Sequence, residues 1–143
     1  MPTRSSTAVW TGSIGDGSGS MTIGDGVWEG SFNVPSRFEE GDGTNPEELL
    51  GAAHAGCFSM ALSGILTRAG HEVNELRTTA DVTVEKGEDG WRITRIHLHC
   101  EGDVEGIDGS AFAESAQQAK ENCPVSQALA GVDEVTVDAK LAG

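Results

Sequence analysis

Three thiols, Cys57, Cys100 and Cys123, are the residues here with the most chemistry to offer. A cysteine attacks only as its thiolate, so a reactive one needs a cation, a helix N-terminus or a hydrogen-bond donor to bring its pKa below about 8.5. Cys123 precedes Pro124, which holds it out of helical geometry and places it at the N-cap of a short helix running to Leu129. The positive end of that helix favours a thiolate, making Cys123 the more acidic thiol on local physics. A cysteine that merely fills a turn beside proline is the alternative. Cys57 lies inside an apolar segment on the flank of Leu50, Ala53, His54, Ala61 and Gly64, where a free cysteine packs as a small hydrophobe. His54, three positions earlier on the same helix face, is a candidate base, or else a histidine packed at an interface. The run His97-Leu98-His99-Cys100 suggests a metal site. Strand alternation, however, turns the two histidines to one face and Cys100 to the other, so the three do not share one ion and no metal is expected.

The elements that must position these groups are legible from punctuation and period. Residues 7–34 alternate short extended runs with Gly-Asp-Gly turns, the pattern of a β-meander. Pro35 to Thr44 has no apolar period and reads as a surface loop of the length that often carries function. A helix then opens with Asn45 as N-cap, Pro46 at its first position and Glu48 three residues on, as in a capping box. From Leu49 to Leu66 it is apolar nearly all round, which marks a buried helix, and Arg68 and Gly70 supply its stop. Residues 78–85 and Trp91 to Cys100 form a hairpin closed by Lys86 to Gly90. Ser110 to Glu121 has helical spacing, and Glu134 to Leu141 is a closing strand. Trp10, Trp28, Phe38, Phe58 and Trp91 are candidates for an apolar pocket, although plain core is the commoner role.

With 143 residues the chain is read as one domain, residues 1–143. Nine basic against 23 acidic residues, a formal charge of −14, would repel a phosphate backbone or an anionic membrane, so neither nucleic acid nor membrane is an expected partner. Neither a cationic leader nor a run of about 18 apolar residues is evident, which points to a cytoplasmic protein. An odd number of cysteines without an export signal does not make a disulfide framework.

Two motifs carry a resemblance. The first runs from Arg37-Phe38-Glu39 through Gly43-Thr44-Asn45-Pro46-Glu47-Glu48 to Ala53-His54-Ala55-Gly56-Cys57-Phe58-Ser59-Met60-Ala61; the second is Asn122-Cys123-Pro124-Val125-Ser126. In type, order and separation they resemble the OsmC/Ohr family, with a likeness extending from Val9 to about Leu141. The Arg-Phe pair is nearer the osmotically inducible branch. The resemblance implies an α+β fold with antiparallel sheets and a long buried central helix, in β-β-β-α-β-β-α-β order, assembled as an intertwined homodimer. It implies a thiol peroxidase without cofactor or metal that reduces organic hydroperoxides, and more weakly hydrogen peroxide, with a dithiol or lipoyl-type reductant. Cys57 would be the attacking thiol and Cys123 its disulfide partner. Arg37 would hold the thiolate and orient the peroxide, and Glu47, ten residues before Cys57 as in the family, would position Arg37. A redox sensor or thiol-binding module using the same pair without fast turnover is the rival reading.

One geometric condition comes with these roles. Ten residues of straight helix advance about 15 Å, so Glu47 and Cys57 cannot meet around one guanidinium on an unbroken helix. Either the helix breaks near Gly51 or Gly56, or the active sites are shared between subunits. The second is favoured, because a helix apolar all round is hard to cover within so small a chain.

Overall fold

The computed structural model describes residues 1–142, and the chain falls into two compact units, Met1–Leu49 and the remainder from Leu50. In the first, β1 (Ser6–Thr11), β2 (Ser18–Ile23) and β3 (Trp28–Phe32) form an antiparallel meander in the order β1-β2-β3. Gly24 and Gly26, at φ 59° and 98°, make the β2–β3 turn in backbone geometry that side chains resist.

The stretch expected to be loop from Pro35 to Thr44 instead opens with a short helix, α1 (Val34–Phe38). Asn33 Oδ1 accepts from the Ser36 amide at 2.8 Å, and Ser36 Oγ accepts from the Asn33 amide at 2.9 Å. This reciprocal cap, with proline in the first turn, builds a single turn of helix without any apolar period to announce it. Ser36 also straps the following residues, its hydroxyl donating to the Thr44 carbonyl at 2.8 Å and its own carbonyl accepting from Asn45 Nδ2 at 3.0 Å.

Helix α2 (Pro46–Arg68) has the expected ends. Asn45 Oδ1 caps the Glu48 amide at 2.8 Å, although the Glu48 carboxylate accepts from Thr44 Oγ1 at 2.9 Å and does not close a capping box. At its far end the His71 amide reaches the Leu66 carbonyl and the Gly70 amide that of Thr67, both at 3.0 Å, around Gly70 at φ 90°. That is the paired closure of a left-handed glycine stop. The helix runs unbroken through Gly51 and Gly56. Gly51 is buried against β4, where a Cβ would stand 3.3 Å from the Ala80 carbonyl oxygen, whereas Gly56 faces open space.

In the second unit, β4 (Glu72–Gly87) and β5 (Gly90–Glu105) form a long hairpin, followed by α3 (Gly109–Asn122), α4 (Pro124–Ala128) and β6 (Glu134–Leu141). The sheet order is β4-β5-β6, and β6 lies parallel to β5. The sheet is therefore mixed, a correction to the expectation of antiparallel sheets alone. The cause is the α3–α4 crossover, which returns the chain to the sheet in the direction of β5. Phe58, Leu62 and Leu66, one face of α2, join Leu98 and Cys100 of β5 and Phe112, Ala116 and Ala119 of α3 in one buried cluster. As alternation required, Cys100 enters this core while His99 is exposed.

Burial of α2 is one-sided within the chain: Ala52, Ala53 and Gly56 are exposed, and Met60 is 79% exposed. Among the described residues α2 is also the one helix long and apolar enough to cross a membrane, at mean hydropathy 1.6, yet Phe58, Leu62 and Leu66 make it a core helix packed on a sheet. Of the aromatic residues considered for a pocket, Phe58 is core, while Trp10, Trp28 and Trp91 remain 37%, 41% and 50% exposed.

Gly102 on β5 lets the Phe112 ring lie directly on the strand, since a Cβ there would fall 2.4 Å from Phe112 Cζ. Gly102→Ala is expected to lose about 1–3 kcal/mol of stability by overpacking. In urea unfolding, Phe112→Leu in the same chain should recover part of that loss, as coupled neighbours do.

Candidate active site

The site is built where α4 meets the middle of α2. Pro124 has no amide hydrogen and holds Cys123 extended, at φ −62° and ψ 125°, so Cys123 is the hinge between two helices. Its amide closes α3 on the Ala119 carbonyl at 2.9 Å and its carbonyl opens α4 by accepting from the Gln127 amide at 3.1 Å. The Cys123 thiol is fully buried and lies in hydrogen-bonding contact with the thiol of Cys57, which is half-buried on α2.

The helix N-terminus works differently from the sequence expectation. Cys123 makes no side-chain cap hydrogen bond. The amide of Val125, one of the N-terminal donors that α4 cannot satisfy internally, goes to the Cys57 sulfur. Burial pushes the Cys57 thiol up from its ordinary value and the neighbouring Cys123 thiol adds to that, while the Val125 amide pulls it down. Burial likewise raises Cys100, against a hydrogen bond with Thr78, and leaves it an inert core thiol on the far side of β5 from His99.

His54 stands one turn before Cys57 and is fully buried. Its Nε2 lies 2.6 Å from Ser126 Oγ, and its Nδ1 has no hydrogen-bond partner among the described residues. A buried orphan acceptor is less costly than a buried orphan donor, so the ring is assigned as Nε2–H donating to the serine, with the lone pair on Nδ1. Three residues of α4 and its cap thus engage α2: Cys123 and Val125 meet Cys57, and Ser126 meets His54. Val125 and Ser126 belong to a motif noticed in the sequence, but their roles depend on a crossover that no local pattern records.

Arg37 and Glu47 are brought together as expected. Arg37 is the last-turn cation of α1, and its Nε and Nη2 donate to the Glu47 carboxylate at 3.1, 3.2 and 2.7 Å. Glu47 is 6% exposed in the first turn of α2, where a carboxylate also suits the helix dipole. The fork-shaped contact fixes the plane of the guanidinium and leaves its Nη1 edge outside the pair. Phe38 flanks the same guanidinium, whose carbon stands 5.1 Å from the ring centre.

Paired thiols set where a crossover helix meets a long apolar helix packed on a three-stranded sheet define a cysteine-based α+β protein. Residues 39–138 match the family model for OsmC-like protein, and the chain belongs to that family. It is 47% identical over 135 residues to Peroxiredoxin OsmC of Escherichia coli K12, covering 94% of this chain and 93% of that one. The organic hydroperoxide resistance protein OhrB of Bacillus subtilis is 28% identical over 128 residues, and its crystal structure superposes with a TM-score of 0.71 over 96% of this chain and 98% of that one. An OsmC-like protein from Mycoplasma pneumoniae, 19% identical, shares the fold at a TM-score of 0.76, covering 99% of each chain.

Burial holds the His54 pKa below its ordinary value. The folded state then resists a proton that the unfolded chain takes up below about pH 6.5, so the stability His54 contributes is complete above that pH and declines as pH falls toward the lowered native value. Urea unfolding at a series of pH values should show this decline, and His54→Gln should flatten the part of it that lies just below neutrality.

Proposed function

We propose that the chain is a thiol peroxidase that reduces organic hydroperoxides, and more weakly hydrogen peroxide, through Cys57 and Cys123. The observation that carries the reading is the direct contact of these two thiols at the N-terminus of α4. The Cys57 thiolate attacks the distal peroxide oxygen, the O–O bond breaks, and the alkoxide leaves to take a proton as alcohol. Cys57 is now a sulfenic acid. Cys123, already in contact, attacks that sulfur, expels water and forms a disulfide, which forestalls further oxidation to sulfinic acid. A dithiol or lipoyl-type reductant opens the disulfide by exchange and returns both thiols. These steps suit the reducing cytoplasm, where we place the protein.

Arg37 supplies what the thiol neighbourhood lacks. Burial raises Cys57, and one amide is a weak counterweight. A guanidinium held permanently charged and oriented by Glu47 would lower the thiol pKa and stabilise the departing alkoxide. With α2 unbroken from Pro46 to Arg68, the ten residues between Glu47 and Cys57 still amount to about 15 Å of rise. In our reading Arg37 and Glu47 of one subunit therefore serve the cysteines of a second, in a homodimer that covers the exposed flank of α2 at Ala52, Gly56 and Met60. The rival reading, a sensor with the same pair, differs in lacking sustained turnover.

Cys57→Ser should abolish hydroperoxide consumption in a dithiol-coupled assay, while Cys123→Ser should complete one oxidation and then over-oxidise, seen as sulfinic mass on Cys57. Sustained full turnover by both variants would exclude the scheme. Arg37→Ala should slow peroxide attack by roughly a hundred- to a thousand-fold and move the pH profile of Cys57 alkylation upward. Sharing across subunits is tested by complementation: mixed dimers of Arg37→Ala with Cys57→Ser contain one intact site only if the arginine acts across the interface. Recovered activity supports sharing, and none places Arg37 and Cys57 in one subunit.

A further inference from the structure

The exposed face of the second sheet carries a cluster outside the thiol chemistry. His97 and His99 point to the same side of β5. The parallel register sets Thr136 of β6 beside His97 and Asp138 beside His99, while antiparallel β4 sets Asp81 opposite His97. One ligand atom each from His97, His99 and Asp138 lies within 4.8 Å of the others. The expectation of no metal rested on β5 alone, where alternation removes Cys100; the neighbouring strand supplies the third ligand.

The hydrogen bonds around the two rings assign their free nitrogens. His99 Nε2 lies 3.3 Å from Asp81 Oδ2, and its Nδ1 lies 3.2 Å from Asp138 Oδ2. With Nε2–H donating to Asp81, the Nδ1 lone pair faces the Asp138 carboxylate, an acceptor opposed to an acceptor that a cation between them would reconcile. His97 Nδ1 is bonded to the Thr136 hydroxyl, leaving Nε2 open. The two rings meet edge to face, with centres 4.3 Å apart. A carboxylate or hydroxyl behind each imidazole is the arrangement that fixes tautomer and raises ligand basicity in metal sites. Ligand atoms around zinc at about 2.0–2.1 Å stand roughly 3.3 Å apart in a tetrahedron. The His99–Asp138 pair, at 3.2 Å, is already at that separation, and a ring nitrogen of His97 lies within 4.8 Å of both. A cavity of about 280 Å³ adjoins the cluster, lined by Thr79, His99, Glu101 and Asp138 together with the cations Arg77 and Lys140, and gives water room to complete the coordination.

We propose that His97, His99 and Asp138 bind a divalent first-row transition-metal ion, with Asp81 and Thr136 orienting the imidazoles. Two imidazoles and a carboxylate suit zinc, nickel or copper and are too nitrogen-rich for magnesium or calcium. Bound there, the ion clips the C-terminal strand β6 to β5, distant in sequence but adjacent in the sheet. The thiol pair takes no part.

The test titrates the reduced full-length protein with Zn2+ by calorimetry and follows Co2+ binding by its optical spectrum. One Zn2+ per chain is expected at this site, with a thermal midpoint that rises with Zn2+, and a Co2+ spectrum without thiolate charge-transfer bands. His97→Ala and Asp138→Asn should each abolish that event, and Asp81→Asn should weaken it about 10- to 100-fold. Asp89→Asn, with the same charge change in the β4–β5 turn, should leave it unaltered. Asp81, Asp89 and Asp138 are exposed, where substitutions change stability little, while His97 is half-buried, so Asp138→Asn carries the test should His97→Ala fold poorly. Binding that survives His97→Ala and Asp138→Asn, that shows thiolate bands alone, or that falls equally with Asp89→Asn would overturn the site in favour of the cysteines or of diffuse attraction to an acidic chain. Absence of any Zn2+ binding would also overturn it, leaving His99 simply set between the Asp81 and Asp138 carboxylates.

Discussion

An unbroken helix is a rigid ruler, and α2 sets the distances on which the site depends. Over 23 residues it carries the Glu47 carboxylate in its first turn, His54 and Cys57 on one face of its middle, and Phe58, Leu62 and Leu66 toward the sheet. Helical geometry alone makes His54 and Cys57 neighbours and separates Glu47 from Cys57 by about 15 Å. Neither internal glycine relaxes this, since Gly51 is needed small against β4 and Gly56 has nothing to turn around. That length is the reason the proposed function invokes a second subunit.

Against this ruler the α3–α4 corner supplies the second thiol of the candidate site. Pro124 ends one helix and starts another, so Cys123 falls at a backbone junction while the Val125 amide of α4 reaches Cys57 on α2. The Val125 amide and the Ser126 hydroxyl then hold Cys57 and His54 in one local arrangement. The imidazole is fully buried and the Cys57 sulfur half-buried, so the polar contacts between the elements matter more than they would in water. A disulfide between Cys57 and Cys123 would form with little motion, because the contact precedes the oxidation. In the proposed cycle a resolving thiol already in place would protect the first from the irreversible steps of oxidation.

The same sheet that backs α2 presents on its other side an array set by β6. Because the α3–α4 crossover makes β6 parallel to β5, Asp138 pairs with His99 and Thr136 with His97. An antiparallel β6 would have matched the two strands in the opposite sense. One topological choice therefore shapes both faces: the crossover delivers Cys123 to the helix side and Asp138 to the exposed side.

Read alone, the sequence determined the meander, the ends of α2, the hairpin, the closing strand and the opposed faces of His97 and Cys100. Those features arise from local codes, namely caps, glycine turns and periods of 2 and 3.6 residues. It also marked Arg37, Glu47, Cys57 and Cys123 through two motifs and their resemblance to the OsmC/Ohr family. The tertiary structure decided which donor serves which thiol: local reasoning assigned the α4 N-terminus to Cys123, whereas packing turns the Val125 amide to Cys57. It decided that residues from Val34 begin as a capped helical turn, that β6 runs parallel, and that only one side of α2 is covered within the chain. Each of these rests on contacts between segments far apart in sequence, and the physical reason is the same in all of them. A residue's own neighbours dictate its backbone, but its hydrogen-bond partners and its burial are set by whatever the fold brings against it.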